Sequence, residues 1–327
     1  MFSPVLSRSG FAKPYQDPGA QSVALADSRA LVVTVTPGGQ VQLNEAGDAL
    51  AWAGDPLETD IFLGAALVDD AARPTAPLDP RSGGAPAAAP AVAGQENGAG
   101  LGTAGGNVGP QELAGRPLFV RVGEVGQGNW SALADVAGAL SSTDCAAAVT
   151  GCALAAFHHS HRFCPTCGRP TTQSEQGWAQ RCAGCQHSVF PRVDPAIIVS
   201  LRDEQDRILL ARGPRHRPGW RSVIAGFVDA GESLEACVRR EAKEEVGLTV
   251  TSLSYLTSQP WPFPRSLMLA FTARVEGEIN IDGVEITDAD FYTRAQVRAL
   301  SASGELTLPR GASVARLLIE SWLADQC

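Results

Sequence analysis

Between Gly226 and Leu248 the chain reads GFVDAGESLEACVRREAKEEVGL. Leu234, Cys237, Val238, Ala242 and Val246 recur at helical spacing, which predicts a glycine-bracketed loop and then an amphipathic helix over about residues 233–246. Ser233 is placed to cap the helix, and Gly247, free to take a positive φ, to stop it. Glu241 and Glu245 stand four apart on one face with Glu244 beside them. Like charges so spaced destabilise a bare helix and call for a cation. Hard divalent ions such as magnesium or manganese take carboxylate oxygens and keep positions open for substrate phosphates. A solvated acidic face is the plainer explanation of a charge cluster, but it leaves Arg240 and the two flanking glycines unexplained.

The run resembles the signature of the Nudix hydrolases, G-x5-E-x7-R-E-U-x-E-E-x-G-U, where U is a bulky aliphatic residue. Gly226, Glu232, Arg240, Glu241, Glu244, Glu245 and Gly247 occupy its fixed positions, and only Ala242 is small for its place. The resemblance implies an α+β chain with the Nudix α/β/α sandwich. It also implies a catalytic set of Glu232, Arg240, Glu241, Glu244 and Glu245, with Mg2+ or Mn2+ held by Glu241 and Glu245. Either Glu244 or Glu245 is a candidate base, and Arg240 is expected to orient carboxylates more than to touch substrate.

Ten residues on, Ser258 to Ser266 read SQPWPFPRS. Three prolines stiffen an extended loop, so Gln259, Trp261 and Phe263 are expected to be presented with little entropy left to lose on binding. Aromatic faces stack on bases, and a loop packing its own aromatics is the structural alternative. The segment resembles the SQPWPFPxS signature of the NADH pyrophosphatases, the Nudix branch that cleaves NAD(H) to nicotinamide mononucleotide and AMP. That resemblance implies a substrate site made of Ser258, Gln259, Pro260, Trp261, Pro262, Phe263, Pro264, Arg265 and Ser266, together with Phe190, Ala225 and Phe227. It further implies a backbone contact at Ala315, a third metal ligand at Glu285, and a homodimer that shares the pocket. NAD-capped RNA 5' ends are a further expected substrate, and ADP-ribose or another nucleoside diphosphate derivative the alternative one. Two departures bear on substrate preference: Phe190 stands where relatives often carry tyrosine, and Gly177 where some carry glutamate.

Upstream, Cys164, Cys167, Cys182 and Cys185 are spaced Cys-x2-Cys-x14-Cys-x2-Cys. Two knuckles aiming four thiolates at one ion predict a zinc ribbon with a closed tetrahedral shell, hence one structural Zn2+ per subunit. His187 lies outside this pattern. His158, His159 and His161 end a predicted helix over about 141–161, where histidines commonly interact with the helix dipole and solvent.

The rest of the chain frames these motifs. With 327 residues the length suggests two or three domains, read as a β-rich N-terminal domain over 1–160, the ribbon over 161–190 and the hydrolase domain over 191–327. Strands are expected at 30–36 and 40–44 across a Pro37-Gly38-Gly39 turn, then at 61–68 and 117–122. Residues 71–110 turn to alanine, glycine and proline, a composition expected of a disordered insertion. Further strands are expected at 196–201, 208–211, 222–225, 253–257 and 267–274, and a last helix over 313–324. Arg215, His216 and Arg217 form a short basic patch, which is expected to be a solvated loop able to meet phosphate. A net charge of −9 argues against broad non-specific nucleic-acid binding but not against one RNA end in a metal-lined cleft. No apolar run approaches about 18 residues and MFSPVLSRSG lacks a signal-peptide core, so no membrane partner and a cytoplasmic location are expected.

Overall fold

The computed structural model describes residues 20–57, 59–65 and 116–324. The insertion expected over 71–110 lies outside these residues. Three sheets follow one another along the chain.

The first sheet has five strands in the order β3-β4-β1-β2-β5: β1 (Leu31–Val35), β2 (Gln40–Leu43), β3 (Ile61–Ala65), β4 (Pro117–Val122) and β5 (Asn129–Ala132). Helix α1 (Ala20–Leu25) precedes it, and α2 (Leu133–Val136) and α3 (Ser142–Ser160) follow. Strand β4 resumes the sheet by pairing in parallel with β1, Val33 opposite Val120. The buried stripe of α3, including Cys145, Ala148, Cys152 and Ala155, closes the core over Val33, Val35 and Leu118. Ser141 caps α3 by accepting from the Asp144 amide at 3.1 Å, and Asp144 in turn accepts from the Trp52 indole at 2.7 Å.

The second sheet is small: β6 (Thr171–Ser174), β7 (Ala179–Cys182) and β8 (Ser188–Val189). It is pinned to the first by Trp178, whose indole donates to the Phe62 carbonyl at 2.9 Å, and by His158 of α3, bonded to the Gly177 carbonyl at 2.7 Å. His158 is therefore a structural contact, and burial holds its pKa below the usual histidine range.

The third sheet has six strands. β9 (Asp194–Arg202) lies at its centre, parallel to β13 (Ser266–Glu276) and antiparallel to β10 (Ile208–Arg212) and β11 (Ile224–Phe227). The edges are β12 (Thr249–Trp261), paired with β13, and β14 (Asp288–Tyr292), paired with β10. Side chains alternate across β9, as a sheet covered on both faces requires. Ile197, Val199 and Leu201 pack with Cys237, Val238 and Ala242 of helix α4 (Leu234–Val246). Ile198 packs the other way, against Val297 of α5 (Arg294–Ser303) and Val314, Leu318 and Trp322 of α6 (Val314–Leu323). The result is the expected α/β/α sandwich.

Two expectations need correction. The strand before the acidic helix is 224–227 and not 222–225: Ser222 makes only an isolated bridge to Ala211, while Gly226 and Phe227 lie in β11 opposite Ile197 and Ala196. The strand expected at 253–257 runs from Thr249 to Trp261, so the first half of the proline-rich segment is strand, with Gln259 opposite Met268 and Trp261 opposite Ser266. Its prolines are tolerated because β12 is an edge strand, where the missing amide hydrogen need not face a neighbour.

Candidate active site

Helix α4 begins and ends as its sequence dictates. The Ser233 hydroxyl accepts from the Ala236 amide at 3.2 Å, and Gly247, at φ 74°, turns the chain out after Val246. That fixes the rotation of the helix, burying Glu241 and Glu245 while leaving Glu244 exposed.

Arg240 is the hub of the acidic face. Its Nε and Nη2 donate to the two carboxylate oxygens of Glu232 at 2.9 Å each. Nη1 reaches Glu241 Oε1 at 2.8 Å and Glu244 Oε2 at 3.1 Å, and Nη2 also donates to the Phe227 carbonyl at 2.9 Å. This guanidinium holds Glu232 down at about 2, helped by the Asp229 amide. All the guanidinium donors of Arg240 are thus committed to protein acceptors, three carboxylates among them. Gly226 supplies the space: a Cβ there would fall on the Glu241 carboxylate.

Glu245 lacks such support. Burial pushes its carboxyl up to about 8, with Glu241, Glu285 and Asp282 adding repulsion. Burial also raises Glu241, against the pull of Arg240. Glu245 Oε2 is buried without a hydrogen-bond partner. A buried carboxylate oxygen with no donor, repelled by two further glutamates, is what a divalent-cation site looks like without its ion. Glu285 is exposed and sits opposite Glu245 in a cleft of about 700 Å³ that is also lined by Gly213, His216, Trp220 and Ala225. The residues present fit the expected ion.

The cleft leads on to a second, more apolar pocket of about 340 Å³, whose walls include Trp220, Gln259, Trp261, Arg310, Ser313 and Ala315. Trp220 and Ser222 line both. Trp220 had no place in the sequence reading. Its indole stacks flat on His216, with centroids 3.7 Å apart and planes 8° from parallel. A lone tryptophan closing a loop of arginine, proline and glycine was the available signal, but nothing local says what its second face meets.

The proline-rich segment is not the freely presented loop expected. Gln259 is fully buried, with its amide donating to the Ala312 carbonyl at 2.8 Å and accepting from the Val314 amide at 2.7 Å, so it ties β12 to α6. Phe263 and Trp261 are partly buried against the core of the first sheet. Pro262 and Ser266 are buried, Ser258 and Pro260 half-buried, and Pro264 and Arg265 exposed, with Arg265 donating to Asp194 at 2.8 Å. Phe190 and Phe227 are exposed, at 50% and 59%.

In the ribbon the four thiols converge, with all four Sγ atoms within 4.8 Å of one another and contacts of 3.4 to 3.7 Å. Four zinc–sulfur bonds of about 2.3 Å in a tetrahedron set the sulfurs about 3.8 Å apart. The Cys185 and Gly184 amides donate to Cys182 and hold that thiol down at about 6, near thiolate. The cluster fits one structural zinc with no position left open.

A strand carrying Gly226, an arginine-locked acidic helix behind it and a four-thiol ribbon ahead define a Nudix domain with its zinc ribbon. Residues 191–310 match the NUDIX domain and residues 159–190 the NADH pyrophosphatase zinc ribbon domain, so the chain carries both. Among its relatives is the NAD-capped RNA hydrolase NudC of Salmonella heidelberg (strain SL476), 47% identical over 175 residues. The NudC of Salmonella typhi matches equally, and in both cases the match covers 53% of this chain and 65% of the relative, just under two thirds. A solved NUDIX hydrolase from Nitrosomonas europaea aligns with 50% of this chain and 92% of its own at 15% identity and a TM-score of 0.42. Among the described residues, no helix is long and apolar enough to cross a membrane.

Proposed function

We propose that this protein hydrolyses the pyrophosphate bond of NAD(H), giving nicotinamide mononucleotide and AMP, and removes NAD caps from RNA 5' ends by the same cut. The observation that carries the reading is the unpartnered Glu245 Oε2, in a cleft that Glu285 also lines and that shares Trp220 with an apolar pocket. The kinship to NudC supports the choice of dinucleotide.

Glu241, Glu245 and Glu285 would hold Mg2+ or Mn2+, which when bound neutralises the pyrophosphate and polarises the attacking water. Arg240 keeps Glu232 and Glu241 fixed, so no reorganisation is needed as charge moves. Glu244, exposed and bonded through one oxygen to Arg240, and Glu245 are the two candidates to take the water's proton. The exposed rings of Phe190 and Phe227 suit a homodimer in which one subunit's ring completes its partner's pocket.

Side-by-side turnover of NADH, ADP-ribose and NAD-capped RNA, with magnesium or manganese, tests the assignment. NADH and capped RNA are expected to be cleaved, releasing the reduced nicotinamide mononucleotide from NADH and the oxidised one from the cap. Cleavage of ADP-ribose with neither of the others would replace this reading with the broader one.

Trp261 lines the apolar pocket, and stacking on an aromatic face is worth on the order of 1 to 3 kcal/mol per base. Trp261→Ala is therefore expected to lower kcat/KM for NADH by roughly tenfold to a hundredfold. An equal loss on a pyrophosphate ester without a base would show that the indole does not read one.

A further inference from the structure

The five-stranded N-terminal unit carries none of the site's carboxylates or thiols, yet it touches the site at its least expected point. Trp261 and Phe263 pack against its core, which also contains Ala312 from the turn before α6. The two rings meet edge to face, 5.1 Å between centroids and 78° between planes.

Phe263 has a seat made for it. Gly39, at φ 78° in the turn between β1 and β2, leaves room that any Cβ would take from the Phe263 ring. The Gly39 carbonyl accepts from the Leu133 amide at 2.9 Å, tying the turn to α2. From α2, Asp135 forms an ion pair with Arg310, and Ala134 lines the apolar pocket itself. Ala312 is thus held on one side by the N-terminal core and on the other by Gln259, whose amide also fixes Val314, next to Ala315.

We propose that the N-terminal unit is the positioning element of the nucleotide pocket: Phe263, seated on Gly39, and Asp135, paired with Arg310, fix the hairpin and the 310–315 turn that form the pocket's walls. A hairpin at a sheet edge carrying two aromatic side chains would sample several arrangements without this seat. Binding would then have to pay for ordering it. The proposal rests on reading the pocket as the nucleotide site, but its structural half can be tested without substrate.

Amide hydrogen exchange on the full chain supplies that test. Phe263→Ala is expected to speed exchange at the Val314 amide by on the order of tenfold or more while leaving α4 as protected as in the parent, and Phe263→Leu to recover part of the protection. Asp135→Arg and Arg310→Asp, both at exposed positions, are each expected to raise KM for NADH about threefold to fivefold. In Asp135→Arg, kcat is expected to stay within about twofold, and the charge-swapped double variant to return KM to the parent value. Unchanged exchange at Val314, or α4 loosening to the same degree, would overturn the proposal even if NADH proved not to be the substrate. With exchange as expected, a swapped pair that failed to restore KM would show Arg310 meeting substrate directly and remove Asp135 from the device.

Discussion

Glu245→Gln is expected to lower hydrolysis of NADH by on the order of a thousandfold at saturating magnesium, because a neutral amide is a poor ligand for a hard cation. The fold should not suffer. The side chain is buried, its Oε2 has no donor to lose, and the amide keeps its shape. Stability should in fact move the other way in the metal-free protein. Folding raises the Glu245 pKa from 4.5 to about 8, so the folded state binds this proton more tightly than the unfolded chain does. The stability this supplies is complete below about pH 4.5 and is lost as pH rises through about 8. Metal-free parent protein should therefore lose melting temperature between about pH 5 and 8 relative to Glu245→Gln, and excess magnesium should close the gap by displacing the proton. Turnover within about tenfold of the parent, or parallel melting curves across that pH range, would remove Glu245 from the metal site.

The second large effect belongs to the ribbon. Its three-stranded sheet buries little beyond Ala179, Cys182 and Val189, too small a core to stabilise itself, so the ion must supply the folding energy. Cys164→Ser is expected to take zinc content from about one per chain to near zero and to lower the melting temperature by roughly 10 °C. The loss should spread, because Trp178 and Gly177 anchor the ribbon to Phe62 and His158 of the first unit. Parent protein purified without zinc at full stability would refute the assignment.

The chain's own order was enough for the elements that carry chemistry. Glu241 and Glu245 share a face because the helical repeat puts residues four apart together, and Ser233 and Gly247 bound the helix through local hydrogen bonding and backbone freedom. The cysteine knuckles were legible for the same reason, since each is a short-range turn. Strand β9 was legible from its continuous apolar run, Ala196 to Leu201, but β14 and α5 were not read: β14, Asp288 to Tyr292, is polar at its start, and α5 buries little besides Val297.

Tertiary structure alone decided what each polar or aromatic group faces. The sequence offers Gln259, Trp261 and Phe263 as equivalent members of one motif. Gln259 and Trp261, two apart in β12, share one face of the sheet and Phe263 lies in the turn beyond the strand, so it is packing that separates their roles, Gln259 bonding to α6, Trp261 forming a pocket wall and Phe263 meeting Gly39, more than two hundred residues away in the chain. Trp220 gained its place only when the 213–220 loop folded against the cleft of Glu245 and Glu285. Arg240 could be expected to bind carboxylates, but that it would take Glu232, Glu241 and Glu244 at once depends on β11 bringing the loop back over α4. Local periodicity fixes a helix face because its partners lie within one turn; which distant surface meets that face depends on chain packing that no short window of sequence contains.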